Sequence, residues 1–455
     1  MTTETNSFSL TSRKSHSLRG ETTVPGDKSI SHRALILGSL AVGPTRISGL
    51  LESADIHSTI GALKQFGAEI ERHDDGYWSV HGVGTGGYAD PADVIDCGNS
   101  GTSVRLLLGA MATTPVTTVF TGDHSLRGRP MRRVTEPLTA FGAQFSGRAD
   151  GLLPITATGT ADPVPVTYRL TTPSAQTASA ILLAGLNAPG PTRVIESART
   201  RDHTVRMLRA FGARLDVEEC HDGRHLVVTG YAELQPQSIH VPGDPSAAAF
   251  LIAAALMTEN SDICLRNVGI NSTRTGFLTT VNEMGAKLRI NETGKQGGEP
   301  IADIRVQHQP LRGIDVPPER APSMIDEYPI LAALAASAEG ETVMHGIGEL
   351  RVKESDRIDA MARGLESCGV SIRETENSLS VTGCGYDGVK GGGICETRLD
   401  HRIAMSFLCL GLAAHKPITI DDARPIDTSF PDFVELLSSL GGCLGDRDRE
   451  RVTPA

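Results

Sequence analysis

The sequence predicts an α/β protein built from six copies of one small unit, arranged in two groups of three. Three observations carry this. First, a short phrase recurs: FGAEIER at Gly67 returns as FGAQFSG at Gly142, FGARLDVE at Gly212, MGAKLRI at Gly285, CGVSIRE at Gly369 and LGGCLGD at Gly441, at intervals of roughly 70 to 84 residues. In each copy an amphipathic stretch runs into glycine and then into alternating apolar and polar residues, the pattern of a helix stopped by a left-handed glycine and followed by a strand. Second, another helix series interleaves with the first, beginning near Lys28, Asn99, Pro173, Gly243, Ser323 and Leu399. Third, VPGDKS (Val24 to Ser29) and VPGDPS (Val241 to Ser246) open the first and fourth units. Three units therefore lie between the two phrases and three follow, which predicts two domains, residues 25–241 and residues 1–24 with 242–455, joined by crossings that proline and glycine fix.

The helices of the second series have bodies of Ala, Leu, Ile and Gly, suited to burial on all sides, and polar N-termini that differ from one another. The bodies read as structural and the heads as functional. Asp326 and Glu327 open the fifth of these helices, so capping is one reading of Asp326, and a surface ion pair is one reading of Glu354.

The chain has 455 residues, 39% hydrophobic, enough for two cores, and its single Trp and 4% aromatics fit helices packed by small residues. A net charge of -11 argues against nonspecific nucleic-acid or anionic-membrane binding, so neither partner is expected. The eight cysteines form no CxxC pair and no metal-ligand spacing, which points to reduced thiols in the cytoplasm and to no bound metal. Apolar runs stop after about 12 to 14 residues, short of a membrane span. Residues 1–20 lack the apolar stretch of a secretory signal and are expected to be a frayed tail, like residues 447–455. GVGTGG (Gly82 to Gly87) has the letters of a dinucleotide fingerprint but opens no helix, so a glycine-rich hairpin is expected there.

With no Walker lysine, GxSxG or HExxH, an anion site has to come from elsewhere. Six helix N-termini directed to one cleft would supply it through unpaired N–H groups and positive helix ends. Lys28, Arg33, Arg105, Arg129, Arg201, Lys353, Arg357 and Arg402 all stand in or beside these heads, enough cation to hold two anionic substrates. Asp326 and Glu354 lie among them as acid–base candidates.

VPGDKSISHR, DCGNSGTS with a following arginine, GRPM, PSAQ, RAPSMIDEYP, ELRVKESDR and LDHRIAMSF resemble, in order and spacing across nearly the whole chain, the 5-enolpyruvylshikimate-3-phosphate (EPSP) synthase family. The resemblance implies the two-domain inside-out α/β barrel of the enolpyruvyl transferases, with six βαβαββ units and the substrates between the domains. It implies transfer of the enolpyruvyl group of phosphoenolpyruvate to 3-phosphoshikimate by a monomer without cofactor, and closure of the domains. Carried over residue by residue, Lys28, Ser29, Arg33, Ser174, Ala175, Gln176, Arg201, Asp326 and Lys353 would contact 3-phosphoshikimate. Lys28, Asn99, Gly101, Arg129, Gln176, Glu354, Arg357 and Arg402 would contact phosphoenolpyruvate, and Asp326, Glu354 and Lys28 would move protons. Arg201, where many members have tyrosine, and Thr428, where many have lysine, make the chain resemble the second, divergent bacterial class. The family's inhibitor glyphosate would occupy the phosphoenolpyruvate pocket, which Gly101 leaves open.

Two alternatives differ in their signatures. UDP-N-acetylglucosamine enolpyruvyl transferase shares fold and donor but normally carries a reactive cysteine in the loop matching GDHSLRGRP, which has none here. A noncatalytic repeat scaffold would repeat its surface from unit to unit, whereas the six heads differ.

Overall fold

The computed structural model describes residues 8–446. Its strands form six four-stranded sheets. Within a sheet the first strand runs parallel to the second, while the fourth lies antiparallel between the second and third. Ile95–Asp96, Thr117–Thr121, Ile155–Thr158 and Gln144–Gly147 show this order, as do Thr167–Arg169, Pro191–Glu196, Gly223–Thr229 and Leu215–Cys220. The architecture is the mixed α/β fold of six repeated units that the repeats imply.

Each unit also carries two helices. The members of the first series, Ala54–Gln65, Arg132–Thr139, His203–Ala210, Gly276–Glu283, Arg357–Ser367 and Phe433–Ser439, are amphipathic. Gly67, Gly142, Gly212, Gly285, Gly369 and Gly441 follow them with φ between 83° and 108°, the left-handed stop that the recurring phrase predicts. The second series is Lys28–Leu40, Gly101–Met111, Ala175–Gly185, Pro245–Met257, Tyr328–Ser337 and His401–Gly411. Every residue from Ser246 to Met257 is buried, and so is every residue from Tyr328 to Ala336. Small side chains let these bodies touch: a Cβ on Gly109 would lie 2.5 Å from the Ala180 backbone.

The chain divides into two compact units at Pro25/Gly26 and Pro242/Gly243. One holds Gly26–Pro242 with Lys295–Glu299; the other holds the described residues up to Pro25, Gly243–Gly294, and those from Pro300 on. Each has its own continuous apolar core.

Three expectations need correction. Residues 8–20 are not a tail: Leu10–Arg13 pairs with Ile418–Ile420 and with Cys443–Asp446, taking the fourth-strand position of the sixth sheet, and Arg19 begins a strand beside Asp262–Gly269. Its apolar content is slight, but the backbone pairing and the burial of Leu10 and Leu18 hold it. Residues 1–7 and 447–455 lie outside the described residues. GVGTGG ends the Trp78–Val83 strand in a tight turn, Gly87 N–H to Gly84 carbonyl, but no returning strand pairs with it; the chain runs on to Ile95–Asp96 in the next sheet. Finally, the fifth buried helix is interrupted: Ala321–Met324 is one helical turn, Ile325 to Glu327 form a turn that is part of neither helix, and the helix restarts at Tyr328. Glu327, not Asp326, therefore stands at the N-cap of the restarted helix, and the Asp326 carboxylate joins the cluster described next.

Candidate functional site

In the Gly26–Pro242 unit the polar heads are built by side-chain caps. Asp27 accepts from Ile30 N–H, Ser100 from Ser103 N–H and Ser174 from Thr177 N–H, each worth about 1 kcal/mol. The caps fix where the next residues point. Lys28 forms an ion pair with the buried Asp55. One turn on, Arg33 is 5% exposed and donates through Nε to Thr204 Oγ1 (2.7 Å), through Nη2 to Ser179 Oγ (3.0 Å) and through Nη1 to the Ser29 carbonyl (2.9 Å). Its guanidinium thus ties the Lys28 head to the helix that starts at Ala175.

At the second head, Arg129 donates to Asn99 Oδ1 (2.7 Å), the Asn99 carbonyl (3.2 Å) and Ser125 Oγ (3.0 Å), while Asn99 Nδ2 donates to Asp123 (2.7 Å). Gln176 accepts from Arg105 Nη1 (2.8 Å) and donates to Thr102 Oγ1 (3.0 Å), bridging the second and third heads. Gly101 sits under both guanidiniums: a Cβ there would be 2.9 Å from Arg105 Nη1 and 3.3 Å from Arg129 Nη1. Ala175 and Arg201 line a small pocket backed by Glu196 and Arg224, whose ion pair spans 3.3 Å. Burial pushes the Glu196 carboxyl above its ordinary range, against the pull of Thr200 and Arg224.

The other unit holds the remaining predicted residues. Arg357, 1% exposed, donates through Nε to Asp400 Oδ2 (2.8 Å), through Nη2 to Glu354 Oε2 (2.5 Å) and through Nη1 to Asp326 Oδ1 (3.3 Å). Burial works against its charge, but Asp400, Glu354 and Asp326 outweigh burial and raise its pKa. Lys353 Nζ lies 3.7 Å from Asp326 Oδ1, so that carboxylate stands between two cations. Withdrawal from water lowers the Lys353 pKa; Asp326 opposes this and Arg357 adds to it. Arg402 donates to the Asp326 carbonyl (3.0 Å) and takes its own N–H to Asp400 Oδ1 (2.9 Å). The Glu354 pair is no surface bridge, because its partner is wholly buried. Thr428 donates to the Pro425 carbonyl at 2.7 Å.

Lys28, Ser29, Arg33, Asn99, Gly101, Arg129, Ser174, Ala175, Gln176 and Arg201 thus belong to one unit, and Asp326, Lys353, Glu354, Arg357 and Arg402 to the other. Sequence reasoning missed the acceptors Asp55, Asp123 and Asp400. Asp400 had a signal, since it directly precedes His401 and Arg402; Asp55 and Asp123 had none, being brought in by tertiary packing. One group of possible metal ligands occurs among the described residues, Glu218, Cys220 and His225. Both ring nitrogens of His225 are already engaged, with Arg193 and Asp222 at 2.8 Å.

Residues 12–437 match the family model described as EPSP synthase (3-phosphoshikimate 1-carboxyvinyltransferase). The chain belongs to this family. Relatives named 3-phosphoshikimate 1-carboxyvinyltransferase include those of Dinoroseobacter shibae, 59% identical over 96% of this chain and 97% of the relative, and Cereibacter sphaeroides, 60% identical over 96% and 97%. A solved EPSP synthase from Acinetobacter baumannii superposes with a TM-score of 0.84 at 42% identity, covering 96% of this chain and 99% of that one. The enolpyruvyl transferase NikO from Streptomyces tendae, 19% identical over 96% and 99% with a TM-score of 0.76, shares the fold.

Proposed function

We propose that the enzyme transfers the enolpyruvyl group of phosphoenolpyruvate to the 5-hydroxyl of 3-phosphoshikimate, releasing phosphate, and that the head clusters of both units act on this one pair of substrates. The observation that carries the mechanism is the Asp326 carboxylate fixed between Lys353 and Arg357, beside Glu354.

The donor's C2 must accept the hydroxyl oxygen while its C3 gains a proton; the tetrahedral adduct then loses phosphate and a C3 proton to restore the double bond. Asp326 removes the hydroxyl proton, and Lys28 and Glu354 exchange the C3 proton. Lys28, Ser29, Arg33, Ser174, Ala175, Gln176, Arg201 and Lys353 hold 3-phosphoshikimate. Asn99, Gly101, Arg129, Gln176, Arg357 and Arg402 hold phosphoenolpyruvate, with Lys28 and Glu354 beside it. Buried guanidiniums already locked by hydrogen bonds need little reorganisation when the anions arrive, which supports a positioning role.

Among the described residues no helix is long and apolar enough to cross a membrane. A cytoplasmic monomer is our reading, checked by light scattering on the purified chain. The activity is tested by phosphate release: it should require both substrates together, and release with either alone would refute the assignment.

A further inference from the structure

His32 takes no part in the mechanism above, yet it begins a buried chain of hydrogen bonds between two of the heads. It lies one turn beyond Lys28 in the same helix and is 0% exposed. Its Nδ1 is 2.8 Å from Thr59 Oγ1, which is 2.6 Å from Ser103 Oγ, which in turn donates to Ser100 Oγ at 2.6 Å. Thr59 and Ser103 are also 0% exposed and Ser100 is 1% exposed.

The direction of this chain follows from counting protons. Ser103 spends its hydroxyl proton on Ser100, so toward Thr59 it can only accept. Thr59 has one proton, and its other acceptor, the Asp55 carbonyl, is farther away at 3.3 Å. Thr59 therefore donates to Ser103 and must accept from His32, which fixes the His32 proton on Nδ1. Nε2 is left bare, and it has no hydrogen-bond partner among the described residues. Burial, then Lys28 and Arg33, push the His32 pKa well below its ordinary value, so the ring stays neutral and the chain keeps one polarity.

The end of the chain is the cap of the Gly101–Met111 helix, directly between Asn99 and Gly101. We propose that His32 is a positioning residue for phosphoenolpyruvate: its Nδ1–H, relayed through Thr59 and Ser103, sets the Ser100 cap and hence the Asn99–Gly101 backbone. This rests on the placement of phosphoenolpyruvate at Asn99 and Gly101 in the reading above.

The test compares His32→Leu, which removes the donor, with His32→Asn, whose amide nitrogen can stand where Nδ1 stands. Saturation by each substrate and thermal unfolding are measured, with Asn99→Ala as a control on the pocket. In His32→Leu the KM for phosphoenolpyruvate should rise about tenfold, the share of one buried hydrogen bond, with the KM for 3-phosphoshikimate within about twofold; His32→Asn should recover most of it. A loss that falls equally on both substrates, or His32→Asn as defective as His32→Leu, would overturn the relay. If Asn99→Ala raises the phosphoenolpyruvate KM and His32→Leu does not, the relay alone is wrong; if neither moves it, the pocket is misplaced and the relay falls with it. Should His32→Leu fail to fold, Ser103→Ala breaks the same chain with a smaller change and must reproduce the selective rise.

Discussion

Adding one methyl at Gly101 probes the head that we assign to phosphoenolpyruvate. The backbone there is not in the left-handed region, so Gly101→Ala carries no conformational penalty of that kind; its cost is contact. The new Cβ would lie 2.9 Å from Arg105 Nη1 and 3.3 Å from Arg129 Nη1. Both are tips of side chains, so the fold survives, but Arg105 has to retreat by about half an ångström to reach the 3.4 Å of ordinary contact. That retreat stretches its 2.8 Å bond to Gln176 toward the limit, and Gln176 cannot simply follow because Thr102 holds its other end at 3.0 Å. Losing most of one charge-assisted hydrogen bond costs about 1–2 kcal/mol, or about five- to thirtyfold in affinity. Phosphoenolpyruvate, the shorter occupant, should show the lower end as a rise in KM. Glyphosate, the longer one, should meet the methyl directly and show the upper end as a rise in its inhibition constant. Steady-state kinetics with both ligands on both forms, and a melting curve for each, decide it. Equal shifts for the two ligands, or a wild type already insensitive to glyphosate, would refute this account.

Asp326→Asn keeps shape but removes the base proposed above, so turnover should fall on the order of a hundredfold or more with a much smaller change in 3-phosphoshikimate KM; near-normal turnover removes Asp326 from that role. Gly67→Ala and Gly364→Ala separate two kinds of glycine by urea denaturation. The first, at φ 99° with its nearest neighbour 3.7 Å away, should cost about 1 kcal/mol through backbone conformation alone. The second, whose Cβ would lie 2.1 Å from the Phe407 ring, should cost clearly more. His32 gives a pH signature. Its folded pKa is depressed, so below the ordinary value near 6.5 the unfolded chain binds the extra proton and stability is lost as pH falls. His32→Asn should be less acid-sensitive than wild type between pH 7 and pH 5, and parallel urea midpoints across that range would count against a buried neutral ring.

What the sequence carried was local. The six glycines after the amphipathic helices were legible because a left-handed stop has a chemical signature, and so were the polar heads of the second series, though not that Asp27 and Ser100 cap them. Most cations of the two clusters stand in the family's motifs and were legible there, unlike their acceptors Asp55, Asp123 and Asp400. What escaped was set by distant pairing. The Leu10–Arg13 strand reads as a polar tail because its partners lie more than 400 residues away, with Leu10 opposite Ile420. The turn at Ile325 to Glu327 escaped because Asp326 and Glu327 read as the polar head of a single helix, whereas the structure puts one helical turn before them and restarts the helix at Tyr328.

That first strand also sets a schedule for the chain's birth. Gly26–Pro242 is one nearly unbroken stretch, save for Lys295–Glu299, so this unit can pack while later residues are still being made. The sixth sheet has no such freedom: Leu10–Arg13 is made long before its partners and cannot take its place until Ile418–Ile420 and Cys443–Asp446 follow on either side. A chain cut short before residue 418 would therefore hold every residue of the Gly26–Pro242 unit and leave Leu10–Arg13 without the strands that flank it.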